Sequence, residues 1–237
     1  MAFVNPCSSE CMKTELDLFS VPDTQLSVES SAYGEYYPIT SLNDGSTIEF
    51  ELTGTGEDYV DLTNTYLKVK AKVTQGGGAN LENDDMCAPV SYFLHALFSQ
   101  VDIFLNGKQI TSSTGTYAYR AMIEALLSFG GEAKRTQLTA ALFHKDDAGK
   151  MDELTAGAAA NSGFVTRRHL ARNSRVMDLM GRLHADIFFQ ERYLLNNVDI
   201  KIRLTRSKDG PQRWPDFLPE LLQVRELPDE ELLQYPA

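Results

Sequence analysis

Polar and apolar positions alternate along several separated stretches of the chain. In Thr47-Ile48-Glu49-Phe50-Glu51-Leu52-Thr53 every second residue is apolar, the pattern of a strand with one buried face. Residues 65–73 repeat it, with Leu67, Val69, Ala71 and Val73 on one face and Tyr66, Lys68, Lys70 and Lys72 on the other. Residues 100–105 carry Val101, Ile103 and Leu105 in the same register, and Asn106-Gly107 separates them from Lys108-Gln109-Ile110-Thr111-Ser112. Asn-Gly between two such runs predicts a tight hairpin, because both residues tolerate positive φ. Strands are also predicted over 177–189, with Met177, Leu179, Gly181, Leu183, Ala185 and Ile187 in one row, and over 198–204, with Ile200, Ile202 and Leu204.

Helical patterns lie between these strands. Residues 90–98 read as a short buried helix. Residues 117–129 read as a longer one with Ala118, Met122, Ala125 and Leu126 on one face, stopped by Gly130-Gly131. Residues 132–143 follow as a second short helix with Leu138, Ala141 and Leu142 as its stripe, and 145–160 read as a surface loop. Helices that cluster instead of following each strand argue against a βαβ parallel sheet. The fold class predicted is mainly β: an antiparallel sandwich with short helical insertions, the main one near 117–143. It divides into an arm with the first extended segments (1–45), the sandwich (46–209) and a tail (210–237). The tail carries Pro211, Pro215, Pro219, Pro228 and Pro236, and prolines at this density are expected to break strand ladders and leave it poorly packed.

Composition narrows the class without naming a partner. The chain has 237 residues, 43% hydrophobic and 10% aromatic, which excludes disorder throughout. Its net charge of −11 argues against a general nucleic-acid binder. Residues 209–237 hold seven acids against two arginines, so −5 of that charge sits in the tail and the body is only mildly acidic. The start of the chain lacks a basic region followed by an apolar one, no apolar run approaches the ~18 residues of a spanning helix, and no glycosylation sequon occurs. Three cysteines, Cys7, Cys11 and Cys87, fit a reducing compartment better than a disulfide framework. An intracellular or virion location is expected, not secretion, and no membrane contact.

Candidate chemistry is sparse. Cys7 and Cys11 with Cys87 fall short of a zinc set, and His95, His144, His169 and His184 show no paired spacing, so no metal or cofactor is expected. There is no nucleophile elbow and no phosphate loop, and Asp146, Asp147, Asp152 and Glu153 lack the order of a calcium loop. His184, Asp186 and Glu191 could do acid–base work, but the polar face of an alternating strand accounts for them more simply. No catalytic residue is expected. One patch opposes the acidic background: Arg167, Arg168, Arg172 and Arg175, with His169, lie within nine positions. They suit phosphates of packaged DNA or carboxylates of a neighbouring subunit, against the plainer reading of a solvated loop or an intramolecular pairing surface.

Several stretches resemble a known family. They are Ser9-Glu10-Cys11 with Glu15-Leu16-Asp17-Leu18-Phe19-Ser20-Val21-Pro22, and Gly54-Thr55-Gly56-Glu57-Asp58-Tyr59-Val60-Asp61-Leu62. The fullest is Phe93-Leu94-His95-Ala96-Leu97-Phe98-Ser99-Gln100-Val101-Asp102, continued by Leu105-Asn106-Gly107. Tyr117-Ala118-Tyr119-Arg120-Ala121-Met122 and Ala185-Asp186-Ile187-Phe188-Phe189-Gln190-Glu191-Arg192-Tyr193 add to it. Over residues 3–209 the chain resembles the hexon-like capsid proteins of adintoviruses and of Maverick/Polinton self-synthesising transposons. The resemblance implies a jelly-roll β-sandwich, a structural and non-enzymatic role, and self-association (trimers in that family) with other capsid subunits. Members of that family carry two jelly rolls. This chain has room for one, so it is expected to be a truncated copy whose proline-rich tail replaces the second. The alternatives are a jelly-roll module binding carbohydrate or protein, with Tyr33, Tyr36 and Tyr37 as its aromatic cluster, or a non-functional relic of a capsid gene.

Overall fold

A computed structural model of the chain describes residues 30–40, 47–54, 58–75, 78–155, 160–190, 192–207 and 217–228. Among them run eight strands: β1 (Ala32–Tyr36), β2 (Ile48–Leu52), β3 (Asp58–Ala71), β4 (Phe98–Leu105), β5 (Lys108–Gln109), β6 (Met177–Arg182), β7 (Ile200–Arg206) and β8 (Phe217–Pro228). They form two four-stranded sheets, in the orders β1-β8-β3-β6 and β2-β7-β4-β5. Every pairing is antiparallel, and the pairs are nested: β4 with β5, β3 with β6, β2 with β7 and β1 with β8. A chain folded back on itself as one long hairpin and then wrapped into two sheets is a jelly roll.

The alternating rows meet between the sheets. Ile48, Phe50 and Leu52 of β2, Leu67 and Val69 of β3, Ile103 of β4, Leu179 of β6 and Ile200, Ile202 and Leu204 of β7 are all buried in one cluster. Each such side chain stabilises the fold by ~1.5–3 kcal/mol relative to exposure. The opposite face of β2 and β7 is paired instead of apolar: Glu49 accepts from Lys201 at 2.8 Å and from Arg203 at 2.7 Å. Asn106 and Gly107 turn the β4–β5 hairpin at φ 46° and 75°, with Leu105 opposite Lys108, as their sequence predicts.

The helices are α1 (Phe93–Ala96) before β4, and α2 (Tyr117–Ser128), α3 (Gly131–Arg135) and α4 (Ser162–Ala171) between β5 and β6. A 3-10 turn over Gln137–Ala141 buries Leu138 and Ala141. The inward face of α2 is Tyr117, Ala121 and Ala125, while Leu126 faces out. The stripe read from the sequence is thus rotated, because the two small alanines let the helix backbone sit close to the sandwich.

Three expectations change. The proline-rich tail contains β8, which pairs with β1 on one side and β3 on the other, so the sandwich extends beyond 46–209 at both ends. Its prolines are accommodated: Pro219 stands at the register shift beside Val69 and Pro228 is the last residue of the strand, leaving 220–227 free of proline. The strand expected over 177–189 stops at Arg182, and a 3-10 turn over Asp186–Phe189 follows. The tyrosine cluster disperses, since Tyr36 packs partly against the core whereas Tyr33 and Tyr37 are exposed.

The position of β8 makes a direct prediction. Leu222 pairs with Tyr36 on one side and Leu67 on the other. Leu222→Pro removes a ladder hydrogen bond from an interior strand and is expected to lower unfolding stability by of order 3 kcal/mol in urea denaturation. An unchanged midpoint would mean that 217–228 is not an interior strand.

Candidate functional site

The arginine cluster divides in two. Helix α4 starts at Asn161, whose side chain accepts from Gly163 N–H and donates to Asp146 Oδ1. Asp147 holds the same helix end, accepting from the Ser162 N–H and hydroxyl at 2.8 Å each, which lowers its carboxyl below the usual range. These two acids of the loop are spent on the helix start. Arg167, 5% exposed, then donates to Pro89 O at 2.8 Å, His144 O at 2.6 Å and Asp146 Oδ1 at 2.8 Å. Arg168 donates to Asp85 O and Asn83 O. Arg167 and Arg168 therefore tie α4 to the segment before α1, and only Arg172 and Arg175 stand out on the surface with His169. A single four-arginine patch is not formed.

A second polar constellation fastens α2 to the sandwich. His184 lies just past β6 with both ring nitrogens engaged: Nε2 with the Tyr92 hydroxyl and Nδ1 with Glu124 Oε2, each at 2.7 Å. Arg120 donates to Glu124 at 2.6 Å and also pairs with Asp186. The Tyr117 hydroxyl lies 2.9 Å from His95 Nδ1 and accepts from the His184 N–H. The His95 and His184 rings meet edge to face, 4.7 Å between centroids. Tyr92 and Leu142 both adopt left-handed backbone (φ 61° and 62°) and are joined by a Tyr92 N–H to Leu142 O hydrogen bond, so α1 and the 3-10 turn are locked at two costly positions. Gly181 permits this closeness: a Cβ there would lie 2.9 Å from Leu94 Cδ2 and 3.4 Å from His95 Nε2.

Of the acid–base trio read from the sequence, His184 and Asp186 are linked here through Arg120 and Glu124, not through a shared strand face, and Glu191 lies outside the described residues. The sequence reading missed Tyr92, His95, Tyr117 and Glu124 as partners. With His184 they come from three distant segments, and the one local signal is a histidine within an apolar run. A carboxylate–imidazole–hydroxyl chain has the parts of a proton relay. Its hydroxyl end, Tyr92, is 3% exposed, and the cleft beside Tyr117, Arg120 and His184 holds about 80 Å³. Small-molecule sites occupy ~300–1,000 Å³, so this space suits a few waters. The network is a buried fastening between α2 and the sheets.

No group of three or more metal-ligating side chains and no helix long and apolar enough to cross a membrane occurs among the described residues. Cys87 is half-buried, with its thiol pushed up by burial, while Cys7 and Cys11 lie outside the described residues.

No protein-family model matches the chain. An uncharacterized protein of Caenorhabditis elegans, F54H12.2, is 26% identical over 190 residues, covering 77% of this chain and 42% of that protein. Among solved structures, a chain in the cryo-EM structure of the Sputnik virophage aligns with 97% of this chain and 54% of its own length, at TM-score 0.52 and 11% identity. A chain of the PBCV-1 virus capsid aligns with 90% of this chain and 45% of its own length, at TM-score 0.49 and 10% identity. The chain thus spans about half the length of the proteins it matches, and it shares the jelly-roll fold of the virophage protein.

Two predictions follow from the two constellations. Arg167→Ala takes the cation from the Asp146 carboxylate, which keeps its Asn161 hydrogen bond, and a donor from two carbonyls, and should cost about 3 kcal/mol of unfolding free energy, whereas Arg172→Ala should stay within about 0.5 kcal/mol. Equal effects would contradict the division of the cluster. Burial holds His95 well below, and His184 below, the ordinary value of 6.5, and for His184 it outweighs the raising effect of Glu124. The unfolded chain then binds more protons than the native one as pH falls below 6.5, so stability rises with pH in that window. Denaturation midpoints should be level above about pH 7 and decline progressively from about pH 6.5 to 5; a flat profile would show that the two rings are not held neutral.

Proposed function

We propose that this chain is a structural, non-enzymatic capsid protein, hexon-like, of a Maverick/Polinton- or adintovirus-type element, located in the virion and assembling with copies of itself and with other capsid subunits. The observation that carries this reading is the nested strand order, β1-β8-β3-β6 over β2-β7-β4-β5, in a chain whose fold is shared with a virophage protein. The sequence resemblance over residues 3–209 supplies the element type. On this reading the mechanism is geometric: the two sheets give a rigid block, and the insertion between β5 and β6 supplies contacts.

The outer face of α2 supports self-association. Tyr119, Ile123 and Leu127 recur every four residues, so they share one side of the helix, and they are 74%, 55% and 82% exposed. Large apolar side chains grouped in this way mark an interaction surface. Arg172 and Arg175, the outward pair of the cluster, are the residues that could meet packaged DNA.

Size-exclusion chromatography with light scattering tests the assembly. The full chain should run as a trimer or larger, and Ile123→Asp with Leu127→Asp should shift it toward monomer with an unchanged melting temperature. A monomeric wild type that binds glycans would overturn the capsid reading. Arg172→Ala with Arg175→Ala should reduce the slope of log DNA affinity against log salt by about 2. An unchanged slope removes these two residues from any DNA contact.

A further inference from the structure

Two open pockets share Tyr193 as a wall. One holds about 410 Å³ and is lined by Asp61, Thr63, Arg182, Phe189 and Tyr193. The other holds about 660 Å³ and mixes aliphatic side chains with hydroxyl, amide and charged ones. Each volume falls in the ~300–1,000 Å³ range of small-molecule sites. The rings of Phe189 and Tyr193 are 39% and 37% exposed, so both have surface to offer.

The polar groups of these pockets differ in what they already hold. Asp61 accepts from the Thr63 N–H at 3.0 Å, the Thr63 hydroxyl at 2.5 Å and the Asn64 amide at 2.7 Å. Asp186 pairs with Arg120, which also holds Glu124. The Thr111 hydroxyl accepts from the Ile103 N–H. By contrast, Arg182 has no hydrogen bond or ion pair among the described residues: its Nε is buried without an acceptor, and its guanidinium lies 5.8 Å from the Phe189 ring centre. The Arg192 guanidinium, the Gln190 amide and the Ser112 and Tyr193 hydroxyls likewise hold no partner among the described residues. The carboxylates of the lining are thus engaged, while one guanidinium in each pocket is not.

We propose that the two pockets bind an acidic oligosaccharide, a sugar chain bearing carboxylates, laid across Tyr193 with its carboxylates toward Arg182 and Arg192 and its rings against Phe189 and Tyr193. The planar guanidinium fork matches a carboxylate. Ser112, Gln190 and Tyr193 each donate and accept, as sugar hydroxyls do, whereas a phosphate chain only accepts. A nucleic-acid strand would need more than two cations on a chain of net charge −11. An extended peptide would seek a free backbone edge, and here Val60 and Leu194 already exchange both of their backbone hydrogen bonds. The site lies within one copy of the chain, so it does not depend on the capsid reading. A trimer that binds such glycans keeps both.

An array of immobilised oligosaccharides, probed with the labelled full chain, tests the site. Glycans bearing uronic or sialic acids should retain the chain, and their neutral counterparts and an oligothymidylate should not. Arg182→Gln, Arg192→Gln and Tyr193→Ala should each weaken retention about tenfold, the loss expected for one charge-assisted hydrogen bond or its equivalent in ring contact. Arg172→Gln, outside both pockets, should leave it unchanged. Because neither Arg182 nor Arg192 is hydrogen-bonded to another side chain, both variants should melt with the wild type. No retention by any carboxylated glycan, equal retention by neutral glycans or oligothymidylate, or retention that survives both arginine variants overturns the proposal.

Discussion

The sheet β1-β8-β3-β6 is one sheet because β8 hydrogen-bonds along both of its edges. β1 touches no other strand of that sheet, and β3 meets β6 only through residues 66–71. Remove β8 and β1 has no partner, while β3 loses the pairing that runs from Asp58 to Ala71. The buried row of that sheet, Leu67 and Val69, is then held on one side alone, by β6, against Ile103 and Ile202 of the opposite sheet. Because β8 comes near the end of the described chain and β1 near its beginning, the fold closes late and through contacts of the longest sequence separation. Such topologies fold slowly, since loop closure must precede the contacts that reward it.

With the sandwich closed, the remaining question for the fold is how the insertion between β5 and β6 is held. Apolar burial alone would leave α2 free to rotate, because Ala121 and Ala125 present little shape. The hydrogen bonds that join Tyr117 with His95, and that Glu124 accepts from His184, fix its rotation instead, since they need particular atoms at particular distances. That rotation sends Tyr119, Ile123 and Leu127 outward. A buried polar network thereby determines which apolar side chains are available to a partner.

Strand positions were legible in the residues wherever one face is buried and the other wet, as in 47–53, 65–73 and 198–204, because a period of two has a single structural meaning there. The Asn106-Gly107 turn was legible for a different reason: its backbone demands particular residues. The tail was misread because proline was counted and not placed. Pro219 and Pro228 sit at an irregularity and at a strand end, the positions where a missing N–H costs no ladder bond, and sequence spacing alone does not reveal where a partner strand shifts register. The fastening network was invisible for a plainer cause: Tyr92, Tyr117 and His184 become neighbours only after both sheets have formed.

The arginines show the same limit on a smaller scale. Arg167 and Arg168 are adjacent on α4, and the helix directs both toward backbone carbonyls of the 83–89 segment, with Asp146 as a further acceptor for Arg167. Arg172 and Arg175 follow the end of that helix, where Asn173 takes left-handed φ and the chain turns away, so the same residue type meets solvent. Charge density along a sequence is therefore no measure of charge on a surface. Half of this cluster is engaged inside the molecule, Arg167 by Asp146 and carbonyls and Arg168 by carbonyls, so two guanidiniums, not four, stand outward at this site. Any contact with a polyanion through them must be shallow and sensitive to salt.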